Sequence, residues 1–299
     1  MRKLLKDWML PIAMGSGMLF YPLFGQLAVL TPLLIFSMLL VTFSKISFSQ
    51  LKIEWLHIWM LFIQLGGGLC LYGLLYKFNL VMAESALICL IAPTATSSAV
   101  ITGMLGGNIV FLTTYTLLSS LAVALGAPLI FSLLGTHSDL PFAESFLYIC
   151  KQVAPLLLFP LVAAWLIRKY AKPVQEKIAS VRQLGFYLWA LALAIVTGKT
   201  VLFLVNQENP NYLEEFAIAG IALVVCVAQF ATGRMLGKRY GDTISAQQGM
   251  GQKNTILAIW MAQVYLSPVS SIGPAAYVLW QNSINSYQLW RQRKNQQLK

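Results

Sequence analysis

The charges of this chain are gathered into short segments, and the stretches between them are long, apolar and rich in Leu, Ile and Ala. A helix needs about 20 such residues to cross hydrocarbon. Only helices and closed barrels satisfy every backbone polar group inside a bilayer. Strict apolar/polar alternation is absent, which argues against a barrel. Of the 299 residues, 58% are hydrophobic and 10% charged, with a mean hydropathy of +0.70, where a soluble chain carries about 25% charged residues. The reading is an all-α integral membrane protein of about ten transmembrane helices.

The spans are predicted at 8–24, 28–44, 56–76, 81–105, 109–134, 145–167, 184–205, 215–237, 242–266 and 269–290. Their loops alternate in sign. One side carries Arg2, Lys3, Lys6, Lys45, Lys52, then Arg168, Lys169, Lys172, Lys177 and Arg182, then Arg234, Lys238 and Arg239, and finally Arg291, Arg293, Lys294 and Lys299. The other carries Asp139, Glu144, Glu208, Glu214 and Glu215, against Lys77 alone. By the positive-inside rule both termini are cytoplasmic, in an inner or plasma membrane. The net charge of +11 is thereby accounted for by loops, with no nucleic-acid partner. The amino-terminal "MRKLLKDWMLPIAMGSGMLFYPLFG" reads as a retained first helix, since no small-x-small cleavage site follows it. Cys70, Cys89, Cys150 and Cys226 lie inside apolar runs and suggest neither metal nor disulfide.

The basic loop "RKYAKPVQEKIASVRQ" parts the chain into two five-span halves. Five is odd, so the second half enters from the opposite side: two inverted five-helix repeats, 1–134 and 135–299, with panel and core bundles drawn from both. The fourth span is interrupted at Pro93 and the ninth at Gly249–Gly251. Paired interruptions at matching positions point to a transporter binding site. Free N–H groups of the half-helix after such a break favour an anion, and free carbonyls of the half-helix before it a cation. Thr94, Thr96, Ser97 and Ser98 add hydroxyls at the first break. The plainer alternative is a proline kink whose Ser/Thr bond back to their own helix.

The fourth span reads Pro93-Thr94-Ala95-Thr96-Ser97-Ser98-Ala99 before a Gly107-Asn108 turn. The ninth reads Thr243-Ile244-Ser245-Ala246-Gln247-Gln248-Gly249-Met250, and the tenth Trp280-Gln281-Asn282-Ser283-Ile284-Asn285-Ser286. In this order, on these spans, the segments resemble those of the bile acid:sodium symporter family, over nearly the whole chain. The resemblance implies broken fourth and ninth spans that cross in mid-membrane, and cation-coupled uptake of organic anions by alternating access. Of the family's sodium ligands it carries over Ser98 and Thr116. The family's Asn is Ala99 here, its fifth-span Ser falls on Leu112 and its Glu is Gln247, so the resemblance is to a divergent member with a depleted sodium site. After Met250 the chain runs about two residues longer than the pattern, and either Gly251-Gln252 or Lys253-Asn254 stands at the family's Gln-Asn.

Lys253 is the residue that departs furthest. A lysine at the bilayer centre costs about 2.5–3.5 kcal/mol and is a functional candidate by default. It either replaces the coupling cation, amid carbonyls and the hydroxyls of Ser98 and Thr116, or holds an anionic substrate. The alternative is a lysine wetted from the cytoplasmic side. The substrate site is assigned to Thr94, Thr96, Ser97, Lys253, Asn254 and Asn282. The cation or cation-replacing site is assigned to Ser98, Thr116, Gln247, Gln248, Gln252 and Lys253. Lys151 and Lys199 are read as snorkelling, His57 and His137 as surface residues, and Glu84 as an interfacial charge; Gly66-Gly67-Gly68 is read as a packing seam. The function that follows is secondary transport of a small organic anion, with sodium, a proton or no ion coupled, no other cofactor and no enzymatic activity. The alternatives are a cation/proton antiporter, for which no intramembrane acid is visible beside the breaks, and an intramembrane enzyme.

Overall fold

The computed structural model describes residues 9–44, 51–95, 97–134, 141–180, 184–207 and 210–297. Among them every regular element is a helix. The helices are α1 (Met9–Leu19), α2 (Tyr21–Gln26), α3 (Thr31–Phe43), α4 (Trp55–Leu75), α5 (Leu80–Ile91), α6 (Ser98–Met104) and α7 (Ile109–Leu134). There follow α8 (Phe142–Tyr170), α9 (Lys172–Ser180), α10 (Leu184–Val205), α11 (Tyr212–Tyr240), α12 (Thr243–Gly251), α13 (Thr255–Tyr265) and α14 (Ile272–Gln297). Among the described residues six stretches are long and apolar enough to cross a bilayer: Tyr21–Phe43, α4, α7, α8, Tyr187–Val205 and α11. Both spans expected to be interrupted are pairs of short helices, α5/α6 and α12/α13.

The first expected gap is displaced. The chain pauses at Phe20, and the intended loop around residue 26 is a 3-10 turn, Leu27–Leu30, that joins α2 to α3. Pro22 and Pro32 explain the placement, for each sits in the first turn of its helix, where its missing N–H has no intrahelical partner to lose.

The chain forms two compact units, Met1–Ile46 with Phe131–Asn211, and Ser47–Ile130 with Tyr212–Lys299. In the first, α10 packs on α1, α2 and α3, and α3 packs on α8. Its 29-residue α8 is about 43 Å long, so its end outreaches the hydrocarbon. There Lys169 lies over the rings of Trp165 and Tyr170, at 5.0 and 5.1 Å. The short α9 is tied back by Gln175, whose Nε2 donates to the Ser44 carbonyl at 2.7 Å.

In the second unit one order of elements occurs twice. A long helix, two short ones and a long one run through α4–α7, and again through α11–α14. The buried face of α4 is Leu56, Met60, Gln64, Gly68 and Tyr72, a residue every four, which is one stripe of a helix. Leu56 and Met60 pack against Phe111, Tyr115, Ala246 and Met250. Gly68 admits α5, since a Cβ there would come within 2.7 Å of Ile91; Gly66 and Gly67 show no such closeness. The other faces of α4 expose Trp55, Trp59 and Phe62, as a lipid-facing helix does. With apolar lipid outside, close packing and internal hydrogen bonds hold such helices together in place of water exclusion.

Two sets of hydrogen bonds mark the ends of this unit. Asn79, after α4, donates to Glu214 at the start of α11 at 2.6 Å. At the other end the Asn108 N–H donates to Ser245 Oγ near the start of α12 at 2.8 Å.

Candidate functional site

The site is built where the two interruptions meet. Residues 92–95 and 252–254 leave the helix and pair with each other as an isolated antiparallel bridge between Thr94 and Lys253. The Ala95 N–H donates to the Gln252 carbonyl at 2.9 Å, and the Asn254 N–H to the Pro93 carbonyl at 2.8 Å. Proline starts the first break, because its ring removes a donor and clashes with the preceding turn. The second break falls at Gln252–Asn254 and not at Gly249–Gly251. Both glycines stay helical in α12, and their role is closeness: a Cβ on Gly249 would stand 2.8 Å from Tyr115, and one on Gly251 would strike the Phe230 ring.

A helix ends with four carbonyls that have no intrahelical partner. At the end of α5 the protein supplies them all. The Ile88 carbonyl still takes the Ala92 N–H in the helix's own pattern, and the four beyond it are met by side chains. Gln229 Nε2 donates to the Cys89 carbonyl at 3.1 Å, and Lys253 Nζ to the Leu90 carbonyl at 2.8 Å. Gln64 Nε2 donates to the Ile91 and Ala92 carbonyls at 2.8 and 3.0 Å. The carbonyls expected to be free for a cation are therefore occupied, by an ammonium and two amides. The end of α12 is treated likewise: Thr94 Oγ1 donates to the Gly249 carbonyl at 2.8 Å and Tyr277 Oη to the Gly251 carbonyl at 2.9 Å. Each amide is itself held by a phenol, Gln64 Oε1 by Tyr115 Oη at 2.7 Å and Gln229 Nε2 on Tyr277 Oη at 3.0 Å.

Lys253 is 1% exposed. This removes the reading in which the cytoplasm wets it, since the whole of α12 precedes it inside the unit. Its ammonium rests at the negative end of the α5 dipole, which favours a cation.

The other proposed residues divide. Thr94 sits in the pairing itself, its N–H on Ser119 Oγ at 2.9 Å. Asn254 caps α13 by accepting the Leu257 N–H at 3.3 Å. Ser98 Oγ donates to Ala95 at 2.6 Å and Thr116 Oγ1 to Leu112 at 2.9 Å, so both hydroxyls spend their proton on neighbouring backbone. Gln248 and Gln252 are buried, Gln247 is half-buried and Ser97 exposed. Thr96 lies outside the described residues, as do His137, Asp139, Glu208 and the basic residues before Met9. Asn282 turns its amide onto Val278 of its own helix at 2.6 Å. Its neighbour Gln281 reaches the break instead, accepting the Lys253 N–H at 2.8 Å.

Sequence reasoning missed Gln229, Tyr115, Tyr277 and Ser119 at the breaks, and Gln64; it misplaced His57 and Glu84. His57 is fully buried: Nδ1 accepts the Glu54 N–H at 2.9 Å, Nε2 bonds the Phe111 carbonyl at 3.0 Å, and the ring stacks on Phe111. Glu84 is 4% exposed, its carboxylate accepting the Ser267 N–H at 2.9 Å. Gln64 gave one available signal, an amide alone in the apolar run of α4.

Neither the protein-family models nor the curated proteins compared with the chain give a match.

Proposed function

We propose that this protein is a secondary transporter of a small organic anion, a divergent relative of the bile acid:sodium symporters. In this reading the chain crosses the membrane ten times as two inverted repeats and works by alternating access about the paired breaks. Lys253 takes the place of a coupling cation. The observation that carries the reading is the fully buried ammonium on the Leu90 carbonyl, within a mid-helix pairing of two broken spans. Broken helices whose ends face each other are how transporters place a solute site at membrane depth, and a buried lysine is retained there only at a cost. The doubled order α4–α7 and α11–α14 supports the repeat.

The melting temperature of purified protein in sodium against choline, at equal ionic strength, tests it. Wild type is expected to show no difference, and Lys253→Gln to gain a sodium-selective stabilisation. Sodium stabilisation of wild type would defeat the replacement.

Glu84 favours a second reading, the cation/proton antiporter, because a buried intramembrane carboxylate is what such a protein requires. In vesicles with an entrapped pH dye, an antiporter would move protons against an imposed sodium or potassium gradient and lose that flux in Glu84→Gln. The transporter reading expects no flux in either protein.

A further inference from the structure

The end of α5 that Lys253 caps also carries sulfur. Cys89 on α5 and Cys226 on α11 are far apart in the chain, and their spacing forms no motif. The fold packs both into one buried cluster with Phe230 and Tyr277, inside the second unit. Cys89 is 1% and Cys226 0% exposed. The two thiols lie within electrostatic reach of each other. Both lie within reach of the Lys253 ammonium, which rests on the carbonyl of Leu90, the residue after Cys89. A few side chains tie the pair together. Tyr277 Oη meets the Cys226 thiol and accepts from Gln229 Nε2 at 3.0 Å; the same nitrogen reaches the Cys89 carbonyl at 3.1 Å. One turn before Tyr277, a Cβ on Gly273 would lie 3.5 Å from Cys89 Sγ. The other atom of the amide, Gln229 Oε1, is buried and has no hydrogen-bond partner among the described residues.

Thiolate sulfur is soft and selects soft ions such as Cu(I). Two sulfurs from two helices suit the two-coordinate geometry of a filled-shell monovalent ion. A tetrahedral divalent ion needs more ligands, and among the described residues no three His, Cys, Asp or Glu gather. Charge points the same way. Two thiolates and one monovalent cation leave a single negative charge, and a buried charge must be paired; the ammonium of Lys253 pairs it. A cation is also something that an amide oxygen such as Gln229 Oε1, which can only accept, is able to bind. We propose that Cys89 and Cys226 bind one thiophilic monovalent cation, Cu(I) or its analogue Ag(I), with Lys253 neutralising the complex. Two thiol protons leave to solvent as the ion enters, and the ion joins α5 to α11 beside the break. The site does not depend on the transported solute being an organic anion.

Copper retention tests it. Cys70, which is exposed, and Cys150, which is half-buried, are changed to serine, so that only the paired thiols remain. The purified protein is loaded with Cu(I) under nitrogen, challenged with the Cu(I) chelator bicinchoninate, desalted and assayed for copper. One equivalent per chain is expected to stay, and X-ray absorption at the copper edge is expected to show two sulfur neighbours. Adding Cys89→Ser or Cys226→Ser should each lose the equivalent, and Lys253→Met should release it to roughly tenfold less chelator. The absorption spectrum is read on the folded two-cysteine protein, so it decides even where a serine variant fails to fold. Complete stripping by the chelator, a copper with fewer than two sulfur neighbours, or full retention in either serine variant would overturn the site. Equal retention in Lys253→Met would overturn the neutralising role of the lysine.

Discussion

The two breaks form one backbone pairing by different means. At the first, Pro93 forces the chain out of the helix, and the stranded carbonyls of α5 are met by side chains from afar: Gln64, Gln229 and Lys253. At the second there is no proline, the adjacent glycines remain helical, and residues 252–254 are drawn out to meet Pro93 and Ala95. The first break is written locally; the second exists because the first gives it a partner. In hydrocarbon, a helix can be interrupted wherever the released groups find others, whether or not the local sequence favours the interruption.

Three substitutions would break or sharpen this contrast. The largest effect is expected from Lys253→Glu, which removes the donor from the Leu90 carbonyl and sets a carboxylate against it. A cost of about 4 kcal/mol should appear as loss of monodisperse protein, while Lys253→Met, which buries no charge, remains soluble in the same detergent. Next is Gln64→Leu. It strips the Ile91 and Ala92 carbonyls and the Tyr115 hydroxyl of partners, for about 3 kcal/mol. Tyr277→Phe, which frees fewer groups at the second break, should lower the melting temperature by less. Smallest is Pro93→Ala, at about 1 kcal/mol: the ring sets where the first break falls, and once the chain has folded the hydrogen bonds of Thr94, Ala95 and Asn254 keep it extended. A loss as large as that of Gln64→Leu would mean that the ring, and not those bonds, keeps the break open.

Much of the site was legible in the sequence, and its gaps have a common cause. Pro93 and Lys253 were conspicuous because each violates the local rule of an apolar helix. Gln281 and Asn282 are neighbours of similar chemistry, and nothing local tells which one faces the break; the helix rotation that aims Gln281 at the Lys253 N–H comes from the packing of α14 on α11 and α5. Glu84 stood near a span end and read as interfacial. It is buried because the turn after α13 brings the Ser267 N–H to it. His57 is buried for the same kind of reason, its ring fitted between Glu54 and Phe111.

By itself, then, the sequence determined an all-helical chain with apolar spans, an interruption at Pro93, and a lysine that an apolar span would not carry without use. Those follow from hydropathy and from the local chemistry of proline, which act over a few residues. Only the tertiary structure decided where the second break falls, which carbonyl takes the ammonium, and which glutamines close the helix ends. Each of these is a hydrogen bond between elements far apart in the chain, and in a medium without water its partner must come from wherever the fold brings one.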